Sequence, residues 1–83
     1  MKKEEIARIV RSLLIQHFDI QPEDFSWEIP LEELQQNFNI LSYLLYLEQL
    51  LQEQFGTGFR ILEHISAAIH TPEDVVSLIS KEL

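Results

Sequence analysis

The sequence contains no cysteine, and of its 83 residues only two are glycine and three are proline. Without thiols, disulfide bonds and thiolate-bound metal are excluded. No apolar run approaches the roughly 20 residues of a membrane-spanning helix. Residues 1–5 also lack the apolar region of a signal peptide. We therefore expect a cytoplasmic protein that does not enter a membrane.

Positive charge is also scarce. The chain has 6 Lys and Arg residues against 14 Asp and Glu, which gives a net charge of −8, and residues 12–59 contain no Lys or Arg at all. Such a field repels nucleic acid and anionic membrane surfaces, whereas it attracts a basic protein surface and steers its approach. The expected partners are therefore basic-surfaced proteins and not nucleic acid.

The chain is nevertheless typical of a folded protein, because 46% of its residues are hydrophobic and 24% are charged. Its length corresponds to a single domain over residues 1–83. A domain of this size commits most of its apolar residues to the core and has little room for an enzyme cleft. We expect no enzymatic activity and no catalytic residue.

Apolar residues spaced i, i+3 and i+4 predict a first helix over about residues 3–18 and a second main helix over about residues 39–54. Between them, residues 19–30 are predicted to form a loop that packs against the core through Phe25, Trp27 and Ile29.

A short helical turn is predicted to start at Pro30, and a weaker helical segment covers about residues 60–69. The final helix begins with Thr71 as N-cap and Pro72 in its first turn. No segment shows convincing strand alternation. The predicted fold class is therefore all-α, a small bundle of three to four helices.

The second main helix carries apolar residues on more than one face. Its predicted N-cap is Asn37 or Asn39, and Gly56 is predicted to end it in the left-handed helical conformation. One apolar stripe comprises Leu41, Leu44, Leu45, Leu51 and Phe55, and the arc is widened by Tyr43, Tyr46, Leu47 and Leu50. A helix that is apolar nearly all round is either buried on several sides or binds a partner.

This order of elements resembles that of acyl carrier proteins and peptidyl carrier domains. Residues 47–59, LEQLLQEQFGTGF, look like the end of the carrier second helix, and residues 71–79, TPEDVVSLI, are similar to the start of the carrier fourth helix. The resemblance covers about residues 4–83. It implies an acyl-carrier-like bundle with a long loop between its first two helices, acting in acyl or thioester metabolism such as fatty acid or polyketide biosynthesis.

The attachment motif of that family is where the sequence departs from it. Carrier proteins place Asp-Ser-Leu at the start of the second helix, and the Ser carries a 4′-phosphopantetheine arm. Counting back about four helical turns from Phe55 leads to Leu41, with Ser42 one residue beyond it and no Asp before it. Either Ser42 carries the arm at a shifted site, or the chain is a degenerate carrier without an arm. The missing motif favours the second alternative.

The resemblance further implies a docking surface, because the acidic second helix of the family binds Lys and Arg patches of partner enzymes. The matching acidic positions are Glu32, Glu33, Glu48 and Glu53, and the apolar docking candidates are Leu44 and Leu47. As a carrier-like module, the chain is expected to be a monomer.

A second hypothesis needs no thioester chemistry. The chain is then a small acidic helical adaptor or chaperone-like subunit that binds a partner or a second copy through Tyr43, Tyr46, Leu47 and Leu50. Neither hypothesis involves a metal, because His17, His64 and His70 have no second His at helical spacing and no Cys to assist them.

Overall fold

The computed structural model describes residues 2–56 and 70–82. These residues form four α-helices: α1 (Lys3–His17), α2 (Leu31–Leu34), α3 (Leu41–Phe55) and α4 (Pro72–Glu82). Two 3₁₀ turns, Pro22–Asp24 and Gln36–Asn39, lie between α1 and α3. The described residues contain no strand, so the prediction of a small all-α bundle is confirmed. The helical segment predicted for about residues 60–69 lies outside the described residues.

One core joins α1, α3 and α4, and α1 packs directly on α4. The helices contribute residues at the spacings expected of an amphipathic helix. The buried helical residues are Ile6, Val10, Leu13 and Leu14 from α1, Leu47, Leu50 and Leu51 from α3, and Val75, Val76 and Ile79 from α4. The connecting segments add Phe18, Ile20, Leu31 and Phe38. The buried residues of α1 repeat at i, i+4, i+7 and i+8, in keeping with the helical spacing from which this helix was predicted.

The loop between α1 and α2 packs against this core through Phe25 and Trp27, as predicted, but Ile29, which was predicted to pack with them, is 37% exposed. Phe25 and Trp27 are half-buried, and their rings meet edge to face with centroids 4.8 Å apart. The Arg11 guanidinium of α1 lies over the Phe25 ring, 5.5 Å from its centroid. An aromatic pair of this kind contributes packing energy beyond its buried area.

Two backbone hydrogen bonds join the end of this loop to the start of α4. The Leu31 N–H donates to the His70 carbonyl at 2.8 Å, and the Glu73 N–H donates to the Trp27 carbonyl at 3.2 Å. The first amides of a helix have no partner within the helix, so each bond satisfies a donor at the start of α2 or α4. The two helices therefore begin side by side.

The ends of α3 differ from the prediction. Its N-cap is Ile40, without a side-chain cap, because Asn37 and Asn39 belong to the preceding 3₁₀ turn. The Asn37 side-chain amide instead donates to the Tyr43 hydroxyl at 3.3 Å. Gly56 does end the helix, but its φ of 119° and ψ of 153° place it outside the left-handed helical region. That part of backbone space is accessible essentially only to glycine.

The start of α4 is capped as the sequence predicts. The Asp74 N–H donates to the Thr71 hydroxyl at 3.2 Å, and the Asp74 carboxylate accepts from the Thr71 N–H at 3.1 Å and the His70 N–H at 2.9 Å. Burial raises the pKa of Asp74, but the hydrogen bonds from His70 and Thr71 outweigh it, and the pKa lies below its ordinary value of 3.8. The cap therefore favours the ionised carboxylate.

We predict that Asp74→Ala lowers the free energy of unfolding by about 1 kcal/mol at neutral pH, because it removes the acceptor of this reciprocal cap. The folded-state pKa is lowered, so the contribution is present above the ordinary Asp pKa and is lost as the pH falls through the folded-state value. Urea titrations across the acid range measure this difference.

The matched control is Glu73→Ala, which removes a neighbouring carboxylate whose Oε1 lies 3.4 Å from Lys3 Nζ in a half-exposed ion pair. Such a pair contributes little, so the control variant loses less than about 0.5 kcal/mol. Equal losses in the two variants, or a loss for Asp74→Ala that persists unchanged at the lowest pH, would contradict the role assigned to the cap.

Candidate functional site

The beginning of α3 exposes an apolar surface, which we call the α3 patch and define as Ile40, Leu41, Leu45 and Tyr46. These side chains are 45%, 61%, 39% and 42% exposed, and they are four of the five large exposed hydrophobic residues in the part of the chain that the structure describes. Leu41 and Leu45 are one turn apart, so they lie side by side on the helix. Exposed apolar residues concentrated in this way mark an interaction site.

The core face of α3 includes Leu51 of the predicted stripe but excludes Leu41 and Leu45. Leu47 and Leu51 are completely buried, whereas Leu41 and Leu45 face solvent. Leu45 and Leu47 are about 200° apart around the helix, so burying one exposes the other. The prediction that Leu41 and Leu45 form one stripe with Leu51 is therefore wrong. The side of α3 that contains Leu47 is the one that packs in the core.

This rotation of α3 corrects two of the predicted partner-binding residues. Leu47 is 0% exposed and Glu48 is 9% exposed, so both lie within the fold and not on a docking surface. Leu44 is half-buried against the core. The remaining predicted docking residues, Glu32, Glu33 and Glu53, are exposed.

The surface predicted for an adaptor is also incomplete. Leu50 is only 8% exposed and, like Leu47, belongs to the core, while Tyr43 is half-buried. Of the four residues assigned to that surface, only Tyr46 is exposed. A helix whose apolar residues spread over several faces allows more than one choice of core face, which is why the sequence pattern did not distinguish them.

Ser42 is the second residue of α3 and is exposed. Successive residues of a helix are about 100° apart, so Ser42 points away from the direction of Leu41. Its side chain lines a pocket of about 310 Å³ together with His17, Phe18, Tyr43 and Tyr46. We call this the aromatic pocket. It lies where the C-terminal end of α1 meets the start of α3.

The Phe18 ring is buried and contacts the rings of both tyrosines in the aromatic pocket. Its centroid lies 5.4 Å from that of Tyr46 and 6.2 Å from that of Tyr43. On another side it packs against Phe38, with 4.7 Å between centroids. These tilted arrangements are favourable for aromatic pairs. Phe18 therefore connects the aromatic pocket to the core.

Hydrogen bonds hold three other side chains of the aromatic pocket, those of His17, Tyr43 and Tyr46. His17 Nδ1 lies 3.1 Å from the Tyr46 hydroxyl, and the two rings are nearly perpendicular, with centroids 6.0 Å apart. Tyr43 is held by the bond from Asn37 described above, and the Gln35 Nε2 donates to the Phe18 carbonyl at 2.7 Å. Side chains fixed in this way need little further ordering to bind a ligand.

We had not predicted this pocket from the sequence. The sequence singles out His17 only as a histidine without a second metal ligand, and the tyrosines as part of an interface. Tyr43 and Tyr46 are one turn apart on a helix, which is a signal that they share a face, but they are 26 and 29 residues from His17. Only the folded chain brings the two segments together.

We predict that Leu47→Ala lowers the free energy of unfolding by about 2–5 kcal/mol, because it removes a fully buried side chain from the core. Leu45→Ala makes the same chemical change two residues earlier and costs about 1 kcal/mol or less, because that side chain is exposed. Urea denaturation followed by circular dichroism compares the two variants. The reverse order of losses would mean that the core face of α3 is the one first predicted.

Comparison with protein-family models, with curated proteins and with solved structures gives no match for this chain. Within residues 2–56 and 70–82, no helix is long and apolar enough to cross a membrane. The same residues bring together no group of three or more His, Cys, Asp or Glu side chains that could hold a metal ion. The candidate site is therefore defined by the α3 patch and the aromatic pocket.

Proposed function

We propose that this chain is a carrier-like module of acyl or thioester metabolism that bears no prosthetic arm and acts by docking onto a basic-surfaced partner enzyme. The α3 patch is the observation that carries the proposal. It exposes four large apolar side chains at the start of the helix that carrier proteins use for docking, within a segment that has no Lys or Arg.

The α3 patch supplies the contact energy. Fully burying a side chain such as Leu or Ile contributes about 1.5–3 kcal/mol, and each residue of the patch still has some two-fifths or more of its surface to bury. Ile40 is the N-cap of α3 and Leu41 is its first residue, and their side chains are 45% and 61% exposed. A partner surface that covers them would therefore gain apolar burial without reorganising the core.

The charges around the α3 patch supply the selectivity. Glu32 and Glu33 are exposed on α2, and Glu53 is exposed near the end of α3. The 3₁₀ turn of residues 36–39 contacts both α2 and α3. Glu53 follows Tyr46 by seven residues, about two helical turns, and so shares its face of α3. No Lys or Arg between residues 12 and 59 offsets these carboxylates. A partner with an apolar docking site surrounded by Lys and Arg complements this surface.

The start of α3 also supports the absence of an arm. Leu41 is the first residue of the helix, where the carrier resemblance expects the attachment Ser, and its hydrocarbon side chain offers no nucleophile. Ser42 carries a hydroxyl, but it lies about 100° around the helix axis from Leu41 and lines the aromatic pocket. No Asp precedes it, and its neighbour on that side is an exposed Leu.

We predict that incubation with a broad-specificity phosphopantetheinyl transferase and coenzyme A leaves the intact mass of this protein unchanged. The residue at the attachment position has no hydroxyl, and the only nearby Ser is rotated away from it. A typical acyl carrier protein in the same reaction is the control and must gain one phosphopantetheine. A matching mass increase that disappears in Ser42→Ala would show instead that the chain is a working carrier with a shifted attachment site.

We predict that this protein binds at least one purified enzyme from a panel of acyl transferases, ketosynthases and phosphopantetheinyl transferases. Leu41→Glu or Leu45→Glu is expected to weaken that binding at least about tenfold, because each puts a charge into an apolar contact. Added salt weakens binding as well, because the partner surface is basic. Biolayer interferometry measures both effects.

The control for that measurement is Ser80→Glu, which adds the same charge at an exposed position of α4. It is expected to leave the affinity unchanged. If no enzyme of the panel binds, or if the control weakens binding as much as the patch variants do, docking through the α3 patch is wrong.

A helical adaptor remains the second candidate, because the exposed α3 patch also fits a second copy of the chain. The same preparations distinguish the two by size-exclusion chromatography with light scattering. We expect a monomer, since each copy carries a net charge of −8 that opposes self-association. A tight dimer that Tyr46→Glu abolishes would favour the adaptor over the carrier-like module.

A further inference from the structure

We infer that the aromatic pocket binds the guanidinium group of one arginine side chain, presented by the docked partner. This inference rests on the proposed function, because it names the group on the basic partner that the site receives. It is carried by a separate observation. Four aromatic residues and one serine line a single space of about 310 Å³: His17, Phe18, Tyr43, Tyr46 and Ser42. Ser42, Tyr43 and Tyr46 each carry a hydroxyl group.

The rings favour a cation. The face of an aromatic ring carries partial negative charge and attracts an ammonium or guanidinium group placed over it. Tyr46 is 42% exposed, so part of its ring is accessible from solvent, and its hydroxyl is held 3.1 Å from His17 Nδ1. In the tautomer with the proton on Nε2, the Tyr46 hydroxyl donates to His17, and its oxygen is left as an acceptor.

The polar groups favour arginine over a purely apolar ligand. A guanidinium carries five N–H donors, and the Ser42 and Tyr46 oxygens are acceptors on the lining of the pocket. An apolar side chain would cover these oxygens without replacing their bonds to water. The planar guanidinium also stacks on aromatic rings, which the compact ammonium of lysine does less well.

The electrostatic surroundings are compatible with a bound cation. Residues 12–59 contain no Lys or Arg, and Asp19 is exposed directly after Phe18. Of the two arginines that precede this segment, Arg11 lies over the Phe25 ring, and Arg8 lines a separate groove that reaches the other side of His17. Neither lines the aromatic pocket.

The position of the pocket couples it to docking. Tyr46 belongs both to the aromatic pocket and to the α3 patch, so an arginine in the pocket lies beside the apolar contact. The volume is at the lower end of the range of small-molecule sites, which suits a single side chain. One deep polar contact next to an apolar surface is the usual arrangement of a dominant interface residue.

The test is a titration of the ¹⁵N-labelled protein with N-acetyl-arginine-N-methylamide, followed by NMR. We expect saturable shifts of backbone amides in residues 17–19 and 42–46. The citrulline analogue has the same shape without the charge, and we expect it to bind at least about tenfold more weakly. The lysine analogue is expected to bind more weakly than arginine but more tightly than citrulline.

Substitutions test whether the amide shifts arise from binding in the aromatic pocket. Tyr46→Leu removes a ring and a hydroxyl and is expected to abolish saturation, whereas Ser42→Ala removes one acceptor and weakens binding about threefold. Ser80→Ala, at an exposed position of α4 outside both the pocket and the α3 patch, leaves binding unchanged. The amide spectrum of each variant shows whether it is folded.

Equal affinity for arginine and citrulline, or no saturable shift in the folded wild-type protein, would overturn the assignment of the pocket. These results are independent of the enzyme panel, because the probe is a small molecule that needs only Tyr46 of the α3 patch. Docking to a partner enzyme that survives such a negative titration would leave the proposed function standing and remove only the arginine site.

Discussion

The burial of Phe18 is the constraint on which the candidate site depends. This residue follows the last turn of α1, and its ring packs against Phe38 before α3 and against Tyr43 and Tyr46 within α3. Its carbonyl accepts a hydrogen bond from Gln35. One side chain thus fixes the end of α1, the approach to α3 and the rotation of α3 itself. The aromatic pocket is the part of this contact that remains open to solvent.

The residue after Phe18 shows what this burial requires of the backbone. Asp19 has a φ of 60°, the only positive φ among the non-glycine residues that the structure describes. A left-handed residue other than glycine costs about 1–2 kcal/mol, although Asp is among the side chains that tolerate it best. Phe18 and Ile20 are both buried while Asp19 is exposed. The turn at Asp19 therefore lets both neighbours enter the core, and their burial offsets its cost.

The sequence was sufficient to predict some elements and insufficient for others, for identifiable reasons. The first and last helices each have one apolar face and, for α4, a cap made by Thr71 and Asp74, so their ends and buried residues were predictable. The rotation of α3 about its axis was not predictable, because apolar residues surround this helix. Only contact with the rest of the core determines that Leu47 is buried and Leu45 is exposed. The aromatic pocket combines segments far apart in sequence, and no local pattern relates them.

The α3 patch lies on a protein with a net charge of −8 at neutral pH, which opposes the approach of two copies. The calculated isoelectric point is 4.6, so the repulsion that accompanies a net charge of −8 at neutral pH vanishes in mildly acidic solution. Lowering the pH removes charge from the protein but does not remove the exposed apolar surface of the four side chains. Colloidal stability is lowest where net charge is near zero. The same surface that is available to a partner at neutral pH is thus a route to precipitation of the folded protein near its isoelectric point.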